Sequence, residues 1–265
     1  MPRKVHDGII YNGEIDVLAM RLFELADLAA SVVVVEAEST FSGQPKKLSF
    51  NRDHPRIAPF SDRLHHVIVR DMPNVSDPWI RERWQRDAIM RGFQNVPAED
   101  LILICDADEI PRRAVVNDIL HDVRTPAFGF YLPLSYFYVN YRRVGDPEIT
   151  AVAATKAVLT HIPPTTLRAA LRAGAIPGAR LIAEAGWHLS FLGDNEAVRR
   201  KIRAYSHQEF NTEEFLRQID VGAIVKQGAD LFGRGAKWAI QDGELPALLT
   251  QDDSMRRRLS WQAAR

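Results

Sequence analysis

Apolar and polar positions alternate in blocks through the first hundred residues. Val5 to Ile10 is a short apolar-rich run broken by Asn12-Gly13, which predicts a strand followed by a turn. After Glu14 the apolar residues fall at Ile15, Leu18, Leu22 and Leu25, with Met20 and Phe23 widening the stripe. That spacing predicts a helix packed on a sheet. Ser31 to Val35 carries four consecutive valines, as in a strand buried on both faces. A polar loop, Ala37 to Leu48, follows. His65 to Val69 predicts a third strand, Asp71 to Pro78 a turn-rich connection, and Trp79 to Phe93 a helix. Leu101 to Cys105 is wholly apolar and predicts a fourth strand. Strands that alternate with helices imply an α/β fold with a mostly parallel central sheet flanked by helices.

The pattern changes in the second half. Phe128 to Tyr141 is crowded with aromatic residues and predicts one or two strands. Lys156 to Thr160 predicts another strand, and the segment from Pro163-Pro164 to Gly174 a short helix or loop. Asn195 to His207 predicts a basic helix, and the last fifty residues read as helical and irregular. No repeat or low-complexity linker interrupts the chain, so the expectation is one domain over residues 1–265.

Composition narrows the partners. Lys plus Arg equals Asp plus Glu at 34 each, which argues against nucleic acid, whose partners carry a basic excess. The single cysteine, Cys105, sits in an apolar strand and rules out an internal disulfide. No stretch approaches the ~20 apolar residues of a membrane span, and the first residues lack a signal peptide's apolar core. The expected location is cytoplasmic. The tail Arg256-Arg-Arg258-Leu-Ser-Trp261 reads as a solvated helix end or as a peripheral contact with an anionic membrane.

The chemistry concentrates at Leu101-Ile-Leu-Ile-Cys-Asp106-Ala-Asp108-Glu109-Ile-Pro111. Residues i and i+2 of an extended segment point the same way, so Asp106 and Asp108 would face one volume at a strand's carboxyl end. Open α/β sheets bind ligands there. Paired carboxylates suit Mg2+ or Mn2+, and such a cation suits a diphosphate. The plainer alternative is that Asp108 caps a helix begun by Pro111. Four further features carry two readings each. In Gly186-Trp187-His188, His188 is a third metal ligand or a structural hydrogen-bonder, and Trp187 stacks on a sugar or fills core. Arg199-Arg200-Lys201-Ile-Arg203 clamps phosphate or forms a solvated face, as do Arg83 and Arg86. Glu36, Thr40 and Lys46 dock a base or ribose, or form a plain loop. The aromatic run Tyr136 to Tyr141 is a sugar-stacking wall or sheet core. Serine-hydrolase, P-loop and dinucleotide-binding fingerprints are missing.

Six segments, in order, carry a family resemblance. They are Asn12-Gly-Glu-Ile-Asp16-Val-Leu with Arg21-Leu-Phe-Glu-Leu; Val35-Glu36 to Lys46; Trp84-Gln85-Arg86-Asp87-Ala-Ile-Met90; Asp106-Ala-Asp108-Glu109-Ile-Pro111; Gly186-Trp187-His188-Leu-Ser190; and Arg200-Lys201-Ile-Arg203-Ala-Tyr-Ser206-His207-Gln208-Glu209. The chain resembles the β-1,4-mannosyl-glycoprotein β-1,4-N-acetylglucosaminyltransferase family. That resemblance implies a GT-A-type nucleotide-sugar fold, with a nucleotide-sugar half near 1–125 and an acceptor half near 126–265. It implies inverting transfer from UDP-N-acetylglucosamine to a glycan acceptor, with a divalent metal at Asp106, Asp108 and His188. The expected base is Glu184 or Asp194, with Glu109 behind them. The animal enzymes' membrane anchor and stem have no counterpart in this sequence, so their Golgi location and N-glycan acceptor are not carried over. The alternatives are a non-catalytic nucleotide-sugar or glycan-binding domain and a metal-dependent phosphoester hydrolase.

Overall fold

A computed structural model describes residues 3–262. The first half follows the predicted alternation: β1 (Val5–Ile10), α1 (Ile15–Glu24), β2 (Ala29–Ala37), β3 (Leu64–Val69), α2 (Pro78–Asp87) and β4 (Leu101–Asp106). Next come β5 (Glu109–Pro111), α3 (Arg113–His121), β6 (Ala127–Tyr131), β7 (Leu134–Tyr136), β8 (Tyr141–Arg143) and β9 (Ile149–Thr155). They are followed by α4 (Lys156–His161), α5 (Pro164–Arg172), β10 (Arg180–Ile182), β11 (Gly186–Ser190) and α6 (Asn195–Ala204). The chain closes with α7 (Glu213–Gln218), α8 (Val221–Gln227), β12 (Trp238–Ile240), α9 (Ala247–Gln251) and α10 (Asp253–Leu259).

Among the described residues, seven strands form the large sheet in the order β10-β6-β9-β4-β1-β2-β3. Its pairs are parallel except those that β9 makes with β4 and β6. The fold is therefore mixed α/β with a mostly parallel central sheet. The valine run shows why it is buried on both sides. Val32 and Val34 pack with α1 on one face, and Val33 and Val35 pack beneath Ile89 and Phe93 on the other. A smaller sheet, β12-β8-β7-β11-β5, stands beside it. Both sheets cross the expected half boundary near residue 125. The large one takes β6, β9 and β10 from the second half, and the small one takes β5 from the first.

Three local expectations are corrected. Lys156–His161 is helix α4, and the strand lies just before it at Ile149–Thr155. The Thr155 side chain accepts from the Val158 amide, which starts a helix where hydrophobicity alone reads as a strand. Pro111 does not open a helix but ends β5, and α3 begins at Arg113. The predicted helix Trp79 to Phe93 stops at Asp87 and continues as a 3-10 turn, Ala88–Gly92. A side chain at Gly92 would collide with Val33, so glycine lets this turn lie flat on β2.

No helix among the described residues is long and apolar enough to cross a membrane. The tail arginines sit on α10, where Arg258 pairs with Asp16 at 2.8 Å and Arg256 with Asp253 at 2.5 Å.

Candidate active site

β4 carries Asp106 to the carboxyl end of the large sheet, beside Ile10 at the end of β1. The chain then turns through Ala107 and Asp108 before β5 starts at Glu109. The strand is thus one residue too short to present both aspartates in a single pleat. The turn nevertheless leaves both lining one cleft of about 560 Å³. Asp108 caps no helix: Arg112 holds the N-cap position of α3. Register between β5 and β11 sets His188 opposite Glu109. Gly186 is needed for that approach, because a Cβ there would strike the Ile110 carbonyl.

Cations of the chain meet the carboxylates. Arg86 Nη2 donates to Asp106 Oδ1 at 3.0 Å, and Arg168 Nη1 donates to Oδ2 at 3.4 Å. Lys201 Nζ donates to Asp108 Oδ2 at 2.6 Å and lies 3.5 Å from Glu14. Glu109 accepts from Arg168 and, at 2.7 Å, from the Asp106 amide. Burial pushes the Asp106 carboxyl up, but the Arg86 and Arg168 guanidiniums outweigh it and hold the group well below the usual range. Burial likewise raises Asp108, and Lys201 with His188 more than reverse this. Glu109 is raised by its burial, Arg168 offsetting only part of it. Burial favours the neutral Lys201 amine, yet Asp108 and Glu14 keep it charged.

The positively charged groups come from helices far away in sequence: Arg86 from α2, Arg168 from α5 and Lys201 from α6. Among the described residues, three polar atoms that belong to the cleft lining are buried without a hydrogen-bond partner, namely Arg168 Nε, Thr150 Oγ1 and Tyr205 Oη. Such atoms mark a wall that a polar ligand or water completes.

The remaining expected residues divide. Arg83 stands at the cleft rim, 3.7 Å from Asp77. Arg200 lies outside this cleft in an adjoining cavity, where Asp194 also sits and caps α6 by accepting from the Ala197 amide at 2.9 Å. Glu184 occupies a turn with φ of 48°, away from the cleft, and its carbonyl accepts from Arg112 at 2.9 Å. Trp187 is core: its ring packs with Met20 and Ile110, and its Nε1 donates to the Glu244 carbonyl at 2.9 Å. Glu36 is fully buried and accepts from Lys46 at 3.0 Å and from the Ser49 amide and hydroxyl, each at 2.7 Å. Burial raises its carboxyl, and the His66 imidazole 3.4 Å away, with hydrogen bonds from Ser49 and Lys46, takes it down to about 2. Glu36 and Lys46 therefore fasten the loop rather than face a ligand. Thr40 spends its hydroxyl inside the same loop, on Ser42 at 2.7 Å. The loop's contribution to the cleft is Phe41.

The donor chemistry of Asp106 and Asp108, two adjoining carboxylates open to a cleft, fits a hard divalent cation. His188 Nε2 is 3.8 Å from Asp108 Oδ1. Among the described residues no group of three or more His, Cys, Asp or Glu side chains could hold a metal ion as placed. Asp106 is turned to two guanidiniums and Asp108 to an ammonium, so the expected three ligands do not converge in this arrangement.

Sequence reading missed Arg168, Glu82, Glu14, Tyr205 and Phe232, all of which line the cleft. A signal existed for the first: Arg168 and Arg172 are four apart and share one face of a helix. Glu14, Tyr205 and Ser206 stood inside segments already singled out. Of the aromatic run, Tyr136 lines the cleft and Phe137 and Tyr141 are core.

The profile of glycosyltransferase family 17 matches residues 1–235. The chain is 29% identical over 161 residues to the β-1,4-mannosyl-glycoprotein 4-β-N-acetylglucosaminyltransferases of Homo sapiens and Rattus norvegicus, a stretch covering 57% of this chain and 30% of theirs. The Mus musculus protein of that name matches equally. The chain thus aligns with under a third of the length of these relatives. Among solved structures, 4-diphosphocytidyl-2C-methyl-D-erythritol synthase from Anaerococcus prevotii covers 69% of this chain and 87% of its own at 11% identity, with a TM-score of 0.38. The matched span contains all six ordered segments from Asn12 through Glu209, and on that match the chain belongs to glycosyltransferase family 17.

Proposed function

We propose that the chain transfers N-acetylglucosamine from UDP-N-acetylglucosamine to a glycan hydroxyl, with inversion, in the cleft at the carboxyl ends of β1 and β4. The transferred sugar is the one named for its relatives; the UDP carrier is part of this proposal. The observation that carries the reading is the charge arrangement: two aspartates at a strand end, ringed by Arg86, Arg168 and Lys201. A sheet with Asp-Ala-Asp at the end of its fourth strand supports a GT-A-type assignment.

The chain's own groups account for most of the chemistry. Departure of a nucleoside diphosphate leaves negative charge on its phosphate oxygens. Arg86, Arg168 and Lys201 are held at the cleft by their carboxylate partners and present charged donors to those oxygens. Asp106 and Asp108 would hold a divalent cation, Mn2+ or Mg2+, with His188 beside them; bound there, it supplies further positive charge to the diphosphate. Glu109 is spent on Arg168 and the Asp106 amide, and it keeps both in place.

The test is release of UDP from UDP-N-acetylglucosamine by purified protein with Mn2+, then with a chelator. Release with metal and transfer to a glycoside support the reading. Binding of UDP without release points to a non-catalytic domain. Turnover of simple phosphoesters with sugar nucleotides untouched points to a hydrolase.

A further inference from the structure

A second cavity of about 450 Å³ adjoins the cleft. The two share Asn12, Glu14, Phe191 and Lys201 at their border. Among the described residues, Glu14 is the carboxylate that faces both. Its Oε2 accepts from the Asn12 amide at 3.0 Å, and Oε1 stands 3.5 Å from the Lys201 ammonium without a hydrogen bond. Three other cleft carboxylates accept more hydrogen bonds. Glu82 accepts from Arg86 and Ser206, Asp106 from two arginines, and Glu109 from Arg168 and a backbone amide. Asp108 accepts from Lys201 and lies in the cleft alone.

Among the described residues, charge in the second cavity balances: Glu14, Asp16 and Asp194 stand against Arg200, Lys201 and Arg258. Tyr138, Leu192 and Leu259 add apolar surface. A surplus of cations would select an anion, and a wall without charges an apolar ligand. A balanced hydrogen-bonding wall with apolar patches suits a neutral sugar ring, which carries hydroxyls at its edge and C–H groups on its face.

We propose that the second cavity holds a neutral acceptor sugar and that Glu14, at the border, is the general base. This rests on the transfer reading above. The acceptor hydroxyl oxygen bonds to the anomeric carbon, and its proton passes to Glu14 Oε1. The bond from that carbon to the diphosphate oxygen breaks, and its electron pair leaves with UDP. Asp194, an expected base, lies inside the second cavity as a helix cap and binds the acceptor instead.

Glu14→Gln tests the base. With water as acceptor, UDP release from UDP-N-acetylglucosamine falls about 10²–10⁴-fold, while UDP affinity by calorimetry is unchanged. Azide is already an anion and needs no base, so it restores turnover in Glu14→Gln and gives an inverted glycosyl azide. A merely structural residue would not be rescued this way. A panel of neutral and acidic glycosides tests the cavity: neutral ones accept, and Arg200→Ala raises their KM severalfold with UDP affinity unaltered. Unimpaired release by Glu14→Gln, loss of its UDP affinity, absence of azide rescue, or acceptance of acidic glycosides only would overturn the inference. Wild-type protein that releases no UDP fails the transfer reading itself; wild-type turnover beside an unimpaired Glu14→Gln fails this inference alone.

Discussion

Two carboxylate–guanidinium pairs sit on neighbouring strands and do opposite things. Asp7, midway along β1, is held by Arg21 of α1 at 2.7 Å, and the two are 1% and 0% exposed. Arg21 also donates to the Glu109 carbonyl, so this closed pair braces the turn that bears the aspartates. Asp106, at the end of β4, meets Arg86 and Arg168, but its side chain stays 27% exposed beside buried atoms that lack partners. A completed ion pair in the core is scaffold, whereas an incomplete one opening on a cleft is poised to exchange its partner for a ligand.

The sharpest way to break the comparison is Asp108→Asn. Transfer should fall at least about 10³-fold, with a smaller stability loss than in the closed core pair, because Lys201 keeps Glu14 as a second carboxylate when Asp108 is neutralised. A variant that keeps full activity removes Asp108 from the mechanism. Arg21→Met should do the reverse, stranding Asp7 in the core and costing about 3–5 kcal/mol in denaturant unfolding. A loss under 1 kcal/mol would show the closed pair to be dispensable.

Arg168→Gln probes the boundary between the two classes. Losing a charged donor to the diphosphate should weaken UDP binding about 10-fold or more, measured by calorimetry. Glu36 sharpens the contrast through pH. Its folded carboxyl is depressed to about 2 from an ordinary 4.5, so its stabilisation is complete above pH 4.5 and is lost as pH falls toward 2. Glu36→Gln should flatten the acid limb of the stability profile over that window and leave neutral-pH turnover alone. The smallest effect belongs to Thr40→Ala. Its hydroxyl is spent within the loop, so UDP affinity should stay within about twofold, under 0.5 kcal/mol.

Several of these outcomes separate what local sequence shows from what it hides. The valine run, the α1 stripe and the apolar stretch before Asp106 announced their elements, because burial on one or two faces imposes a period that can be counted. Glu36 and Trp187 each carried two readings, and the local pattern could not choose between them. A carboxylate after a strand and a tryptophan beside a histidine carry no mark of the hydrogen bonds from Ser49 or to the Glu244 carbonyl that fix them in place. Arg168 stayed hidden since an arginine on an amphipathic helix reads as solvent-facing until the helix is docked.

The chain by itself determined the family, the α/β alternation and the acidic strand end, since each depends on neighbours a few residues away. Tertiary structure alone decided the company those acids keep. The pairing of β11 with β5 and the docking of α5 and α6 set His188, Arg168 and Lys201 around them across sixty to ninety residues of chain. Contacts at that range arise from packing and register, which no short window of sequence encodes.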